Sequence, residues 1–150
     1  MYKKPELNEE TDLSQEPITR VQLNIIEKAL DKLFSDVGVN LEFTKHFLER
    51  LNDSRNKNQI NVQELTKIYK QVHDKYGEKL GHATKGELVD NIIKSVSTMI
   101  NVPIALTYDR KNDEVVMTMK TVMRKKNFLS HDPVLQVENR LLTFNEFLNK

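Results

Sequence analysis

Apolar residues recur at three- and four-residue spacing in three stretches of the chain, which is the pattern of amphipathic helices. The spacing predicts helices over residues 20–37, 45–52 and 62–76. Thr44 and Asn61 stand where N-cap residues belong, and Asn61 is followed three positions later by an acid, as in a capping box. The positions expected to face the core are Leu23, Ile26, Leu30, Leu33, Phe34, Val37, Phe47, Leu48, Leu51, Val62, Leu65, Ile68, Tyr69, Val72 and Tyr76.

The later part of the chain has the features of strands. Residues 102–108 and 114–123 are rich in β-branched and other apolar residues, and the turn sequence 109–113 (DRKND) joins them. Residues 134–137 favour an edge strand, and residues 39–43 form a short extended segment between the first two helices. The pattern therefore predicts an antiparallel sheet that follows a group of helices.

The order of these elements predicts an α+β fold rather than alternating α/β, because the helices come first and the strands follow. Residues 88–100 fit a helix and a strand equally well. A short C-terminal helix is expected over residues 141–149. We divide the chain into a mobile acidic tail (1–17), a single α+β domain (18–137) and a C-terminal helix packed on that domain (138–150).

Composition and charge narrow the function classes. The chain has 150 residues, 23 Lys and Arg against 22 Asp and Glu, and no cysteine, which excludes disulfides, thiolate zinc sites and cysteine nucleophiles. Residues 1–17 carry five acids against two bases, while residues 120–126 carry four cations and no acid. The acidic tail is a candidate for contact with a basic protein partner or with the basic face of its own domain. With no apolar run of about 20 residues and no signal peptide, we expect a soluble intracellular protein without a membrane partner.

His46 and Arg50 form the first candidate constellation, because residues four apart share one face of a helix. A histidine transfers protons near neutral pH, and an arginine beside it can hold a phosphate. Arg55 extends the group, and His73 on the next predicted helix could approach His46 as an acid–base partner. The alternative interpretation is a solvated helix face with an ordinary pair between Glu49 and Arg50.

The basic segment 120–126 (KTVMRKK) is the second constellation. A strand over these residues would place Lys120, Val122 and Arg124 on one side. Cations beside Phe128 suit contact with RNA or DNA. The alternative is an edge strand whose lysines prevent aggregation. The chain has no metal-ligand motif and no glycine-rich phosphate loop, so we expect no metal site and no cofactor.

Two long strings, LEFTKHFLERLNDSRN and NVPIALTYDRKNDEVVMTMKTVMRKKNF, resemble a family of small phage-encoded proteins. More distantly they resemble the RelE/RegB-like fold of the barnase/EndoU/colicin/RelE ribonucleases, which includes toxin endoribonucleases. The resemblance covers about residues 39–128 and implies N-terminal helices packed on a curved antiparallel sheet of about four strands. It also implies a metal-independent endoribonuclease in the host cytoplasm that cleaves RNA by attack of the ribose 2′-OH on the phosphate.

The resemblance further implies roles for individual residues. His46 would be the general base or acid, with His73 as its candidate partner, Arg50 and Arg124 would hold the phosphate, and Lys120 would serve in either role. The additional nucleic-acid-binding residues would be Arg55, Lys57, Thr121, Lys125 and Lys126. The partner of the acidic tail would be a phage or host protein. Two alternatives use the same fold: a catalytically inactive nucleic-acid-binding or regulatory module, and a phage virion or assembly component.

Overall fold

The structure is a computed structural model that describes residues 16–82 and 89–137. The helices of this part of the chain are α1 (Arg20–Phe34), α2 (Lys45–Leu51) and α3 (Val62–Gly81), and the short 3-10 turns are Ser35–Val37 and Ser54–Asn56. The strands are β1 (Val39–Phe43), β2 (Val89–Ser95), β3 (Ile100–Asp109), β4 (Glu114–Met119), β5 (Met123–Arg124) and β6 (Val134–Val137). The predicted C-terminal helix and residues 1–15 of the acidic tail lie outside the described residues.

The strands form one mixed sheet in the order β1-β4-β3-β2-β6, and β5 pairs with the start of β3. β1 runs parallel to β4 and β6 runs parallel to β2, while the other pairs are antiparallel. The α+β class is therefore confirmed, but the predicted antiparallel sheet of about four strands is wrong. Alternation of apolar and polar residues marks a strand without specifying its neighbour or direction, so β1 pairs with a distant strand that the pattern does not indicate.

One face of the sheet forms the core with α1 and α3. The paired residues of β1 and β4 that face the helices are all buried, namely Val39, Leu41, Phe43, Val115, Met117 and Met119. The ambiguous segment 88–100 contains β2, whose Ile93 is buried on the same face, and a four-residue turn. Every position of the predicted helix stripes is buried in this core or partly buried against it. The 3.6-residue periodicity therefore identified the packed faces of the helices.

The outer edge of β1 is covered by two carboxylates of α1. Asp31 Oδ1 accepts a hydrogen bond from the Leu41 N–H at 2.7 Å, and Glu27 Oε1 accepts one from the Phe43 N–H at 3.1 Å. Because β1 is the last strand on its side of the described sheet, these donors face away from β4. Partial burial raises the pKa of Asp31, and the hydrogen bond from Leu41 opposes that rise. The two acids thus hold α1 against β1 and close an edge on which another strand could pair.

Helix α3 is longer than the sequence predicts, because it passes through Gly77 and ends at Gly81. A Cβ at Gly77 would lie 3.5 Å from the Val37 side chain. A Cβ at Gly81 would lie only 2.1 Å from the Val37 carbonyl oxygen, which is too close for any side chain. Gly81 therefore allows α3 to pack on the turn before β1, whereas a side chain at Gly77 would make only ordinary contacts. The prediction that Gly77 ends the helix is wrong.

The predicted strand over residues 114–123 is interrupted after Met119, and pairing with β3 resumes in β5. Met119 pairs with Ile104, whereas Met123 pairs with Asn101. The chain therefore has one more residue than its partner strand between these two pairs, which is the arrangement of a β-bulge. One extra residue shifts the alternation of side chains, so the positions after the bulge face the other side of the sheet.

The bulge separates cations that a continuous strand would align. Met119, the last residue of β4, is buried in the core. Because side chains alternate between the two faces of a strand, the Lys120 side chain projects from the opposite face of the sheet. Arg124 pairs with Ile100, which is buried, and Val122 is buried as well. The prediction that Lys120, Val122 and Arg124 share one side of a continuous strand is therefore wrong.

Candidate nucleic-acid interface

The ends of β1 and β4 lie side by side, and this brings together the two segments that the sequence indicates for contact with nucleic acid. The Thr44 hydroxyl donates a hydrogen bond to the Lys120 carbonyl oxygen at 3.1 Å. The Arg124 N–H donates to the side-chain oxygen of Asn56 at 2.9 Å. The two constellations, which are distant in the chain, are therefore joined at this end of the sheet, although Lys120 and Arg124 lie on opposite faces.

We call this surface, formed by residues 44–58 and 120–126, the cationic end. It contains eight Lys and Arg residues against two acids, Glu49 and Asp53. Two further acids from neighbouring elements, Glu64 and Asp90, form ion pairs with members of the cationic end. The remaining excess is four positive charges, although the net charge of the whole chain is only +1. A local excess of this kind attracts a polyanion even when the whole protein is nearly neutral.

Helix α2 presents His46 to solvent. Thr44 caps the helix by accepting a hydrogen bond from the Phe47 N–H at 2.9 Å, and the Phe47 side chain is buried. The His46 side chain is 53% exposed on the other face, and its Nδ1 lies 3.7 Å from Oε1 of Glu49. At this distance the carboxylate lies near the imidazole without a hydrogen bond to it. Of the predicted catalytic residues, His46 therefore combines proton-transfer chemistry with access to a ligand.

Asp53 holds both arginines of the first constellation. Arg55 donates from Nε to Oδ1 at 3.1 Å and from Nη2 to Oδ2 at 2.8 Å, while Arg50 Nη1 lies 3.5 Å from Oδ2. The Arg55 side chain is nevertheless 70% exposed. Because one carboxylate is shared by two guanidinium groups, the cluster retains a positive charge. It can therefore bind a phosphate group as a second anion.

Arg124 is the largest departure from the predicted site. Its side chain is only 11% exposed, and Nη1 and Nη2 donate to the two carboxylate oxygens of Glu64 at 3.2 and 2.8 Å. The remaining guanidinium donors reach the backbone carbonyl oxygens of Asn58, Gln59 and Thr98 at 3.3, 3.1 and 3.0 Å. All five N–H donors of the group are thus used within the protein. Arg124 links the surface loops together, and no donor is left for a phosphate.

The lysines of the cationic end differ in their surroundings. Lys120 Nζ lies 3.3 Å from Oδ1 of Asp90, and the Lys120 side chain is 41% exposed. Thr121 is half-buried in the bulge. The exposed lysines are Lys45, Lys57, Lys125 and Lys126. Of these, Lys57, Lys125 and Lys126 are the lysines that the sequence predicts to bind nucleic acid.

His73 lies in a different part of the molecule. Its Nε2 is 2.8 Å from Asp36 and its Nδ1 is 3.3 Å from Asp74, and the ring packs edge-on against Phe34. These hydrogen bonds, chiefly the one to Asp36, raise the pKa of His73. Asp36 precedes β1 and His46 follows it, so the strand, about 16 Å long, separates the two histidines. The structure does not bring His73 and His46 together as an acid–base pair.

Sequence reasoning missed the polar residues that build the cationic end. Buried Asn56 accepts from Arg124 and donates to the Arg50 carbonyl oxygen at 2.9 Å. Glu64 forms the predicted capping box with Asn61 and also binds Arg124. The capping box was visible in the sequence, but the second role of Glu64 depends on a contact between distant segments that no local pattern encodes.

Two further properties of the described residues concern metal binding and membrane-spanning helices. Within residues 16–82 and 89–137, no three His, Asp or Glu side chains are grouped in a way that could hold a metal ion. None of the helices in these ranges is long and apolar enough to cross a membrane.

The chain matches no protein-family model, and comparisons with curated proteins and with solved structures give no match. The resemblance to small phage proteins and to RelE/RegB-like ribonucleases therefore stays a prediction. We infer the function from the geometry of the cationic end.

Proposed function

We propose that this protein binds RNA through phosphate contacts at the cationic end. The observation that supports the proposal is the junction of segments 44–58 and 120–126, which gathers an excess of four positive charges at one end of the sheet. Neutralisation of phosphates by Lys and Arg releases condensed counterions and accounts for most sequence-independent affinity for nucleic acid. Of the exposed cations, Lys57, Lys125 and Lys126 are the expected contacts, supported by Arg55.

The architecture of the loops supports binding because it holds these cations in place. Arg124 and Asn56 connect the loop after α2 to β5 through hydrogen bonds between buried or largely buried groups. A preformed arrangement reduces the conformational entropy lost when a ligand binds. Arg124 is thus a positioning residue, and the exposed lysines contact the phosphates.

The experiment compares two variants with equal charge loss. In the first, Lys57→Gln, Lys125→Gln and Lys126→Gln are combined; in the control, Lys28→Gln, Lys79→Gln and Lys111→Gln remove three exposed lysines elsewhere. Affinity for a fluorescein-labelled RNA of about 20 nucleotides is measured by anisotropy at low salt. We expect the first variant to lose about tenfold or more in affinity and the control to lose little. Equal losses in both variants would refute a localised site.

A second candidate function is metal-independent RNA cleavage, and the exposure of His46 on the helix that also carries Arg50 favours it. A base that takes the 2′-OH proton is the minimum requirement for this reaction, and Arg50 and Arg55 could stabilise the charged phosphorane. In EDTA, cleavage of the same RNA should fall at least about 100-fold in His46→Ala and more modestly in Glu49→Gln. Cleavage that persists unchanged in His46→Ala would exclude this role, and RNA binding without any cleavage would leave a binding protein.

A further inference from the structure

Exposed apolar side chains lie beside the lysines of the cationic end. The described residues include six exposed large hydrophobic side chains, and three of them belong to the β2–β3 turn or to the segment after β5. These three are Val96, Met99 and Leu129. Met99 is hydrogen-bonded to Lys125 through the backbone, and Leu129 follows Lys126 by three positions, so this part of the surface combines lysines with apolar side chains and suits a ligand that is both anionic and apolar.

Met99 is fixed next to Lys125 by backbone hydrogen bonds. The Lys125 N–H donates to the Met99 carbonyl oxygen at 2.9 Å. The buried amide of Asn101 donates to the carbonyl oxygens of both Met99 and Lys125 at 3.1 Å. Met99 also has a φ of +61°, where a residue with a side chain is strained, yet its side chain remains 42% exposed. The strain is therefore not offset by burial of the thioether.

The segment after β5 also carries apolar side chains close to Lys125 and Lys126 in the sequence. Lys94 Nζ donates to the Phe128 carbonyl oxygen at 2.8 Å, which holds the segment against β2. Phe128 is half-buried, and the next residue, Leu129, is 86% exposed. We call Met99, Phe128 and Leu129 the apolar rim. Lysines and apolar side chains thus stand within a few residues of one another on a short segment held by hydrogen bonds.

We infer that the apolar rim contacts unpaired bases, so that the ligand of the cationic end is single-stranded RNA rather than an RNA duplex. This inference rests on the proposed RNA binding and specifies its substrate. In a single strand the base faces are accessible beside the phosphates, whereas in a duplex they are covered by stacking. A thioether and an aromatic ring both make favourable contacts with flat π-systems. Lys125 and Lys126 bind the phosphates that flank those bases.

The test uses two RNA probes and a variant pair. The probes are a fluorescein-labelled oligouridylate of about 15 nucleotides and a labelled RNA duplex of about 15 base pairs. Met99→Gly combined with Leu129→Ser removes two rim side chains, and glycine accepts the φ of +61° without strain, so the fold is retained. Met99→Leu keeps an apolar side chain at the same position and is the matched control. Circular dichroism and thermal unfolding confirm that all variants are folded.

We expect the parent protein to bind the single strand at least about tenfold more tightly than the duplex. The double variant should lose about tenfold in affinity for the single strand with the duplex affinity unchanged, and Met99→Leu should retain single-strand binding. Equal affinity for both probes, or a double variant that binds the single strand like the parent, would overturn the inference while leaving phosphate binding intact. Absence of binding to both probes at low salt would refute the proposed function and the inference with it.

Discussion

Arg124 and Glu64 form a bidentate ion pair between strand β5 and the first turn of α3, with nitrogen–oxygen distances of 2.8 and 3.2 Å. The same glutamate caps α3 together with Asn61. The pair therefore joins the start of α3, strand β5 and the intervening loops at one largely buried point. This explains why the arginine of the basic segment 120–126 is unavailable to a ligand.

Replacing Arg124 by alanine should destabilise the fold more than it weakens RNA binding. The change leaves Glu64 without its partner and three backbone carbonyl oxygens without a donor, which costs about 3 kcal/mol in the free energy of unfolding. Arg55→Ala, which removes an exposed arginine, should cost less than about 1 kcal/mol. Urea denaturation measures the free energy of unfolding of both variants, and anisotropy measures their affinity for RNA. If Arg124→Ala were as stable as Arg55→Ala and had lost its RNA affinity, the arginine would be a ligand contact after all.

The sequence was most informative where the structure is local. Helix stripes, the Thr44 cap and the Asn61 capping box follow from spacing within one turn of helix, and all are present. The direction of β1 and the role of Arg124 depend on pairing between distant segments, which the alternation of residues does not record.

The cationic end likewise combines features that can be predicted from the sequence with features that cannot. The sequence indicates that both segments are basic. A single inserted residue between Met119 and Met123, however, places Lys120 and Arg124 on opposite faces of the sheet. A bulge has no strong sequence signal when no glycine marks it. The charges were therefore predictable, and their orientation was not.

The two glycines of α3 provide a matched pair of substitutions. Gly81→Ala should lower the free energy of unfolding by about 2 kcal/mol, because the new methyl group would overlap the Val37 carbonyl oxygen. Gly77→Ala meets only ordinary van der Waals distances and gains helix propensity, so it should be neutral or slightly stabilising. Thermal unfolding of the two variants tests the close packing of α3. Equal effects in both would contradict it.

The interaction of His73 with Asp36 should make stability depend on pH. Because the pKa of His73 is raised in the folded protein, its contribution is fully present below the unfolded value near 6.5 and is lost as the pH rises through the folded pKa. His73→Gln should therefore destabilise the protein more at about pH 5.5 than at about pH 8.5. The loss in free energy of unfolding should differ between the two pH values by less than about 1 kcal/mol, since Asp36 is largely exposed. Asp36→Asn should reduce the same difference. Denaturation curves at the two pH values that show the opposite order would contradict this assignment.

Binding of RNA phosphates at the cationic end is tested most directly by mapping backbone amide chemical shifts during titration with a short single-stranded RNA. We predict that the largest shifts occur in residues 44–58 and 120–126, with Lys57, Lys125 and Lys126 among them, and that they diminish as salt is added. The turn around Lys111, at the opposite end of β4, should remain unchanged. Shifts concentrated around Lys111 or along α1, or no shifts at low salt, would contradict binding at this surface.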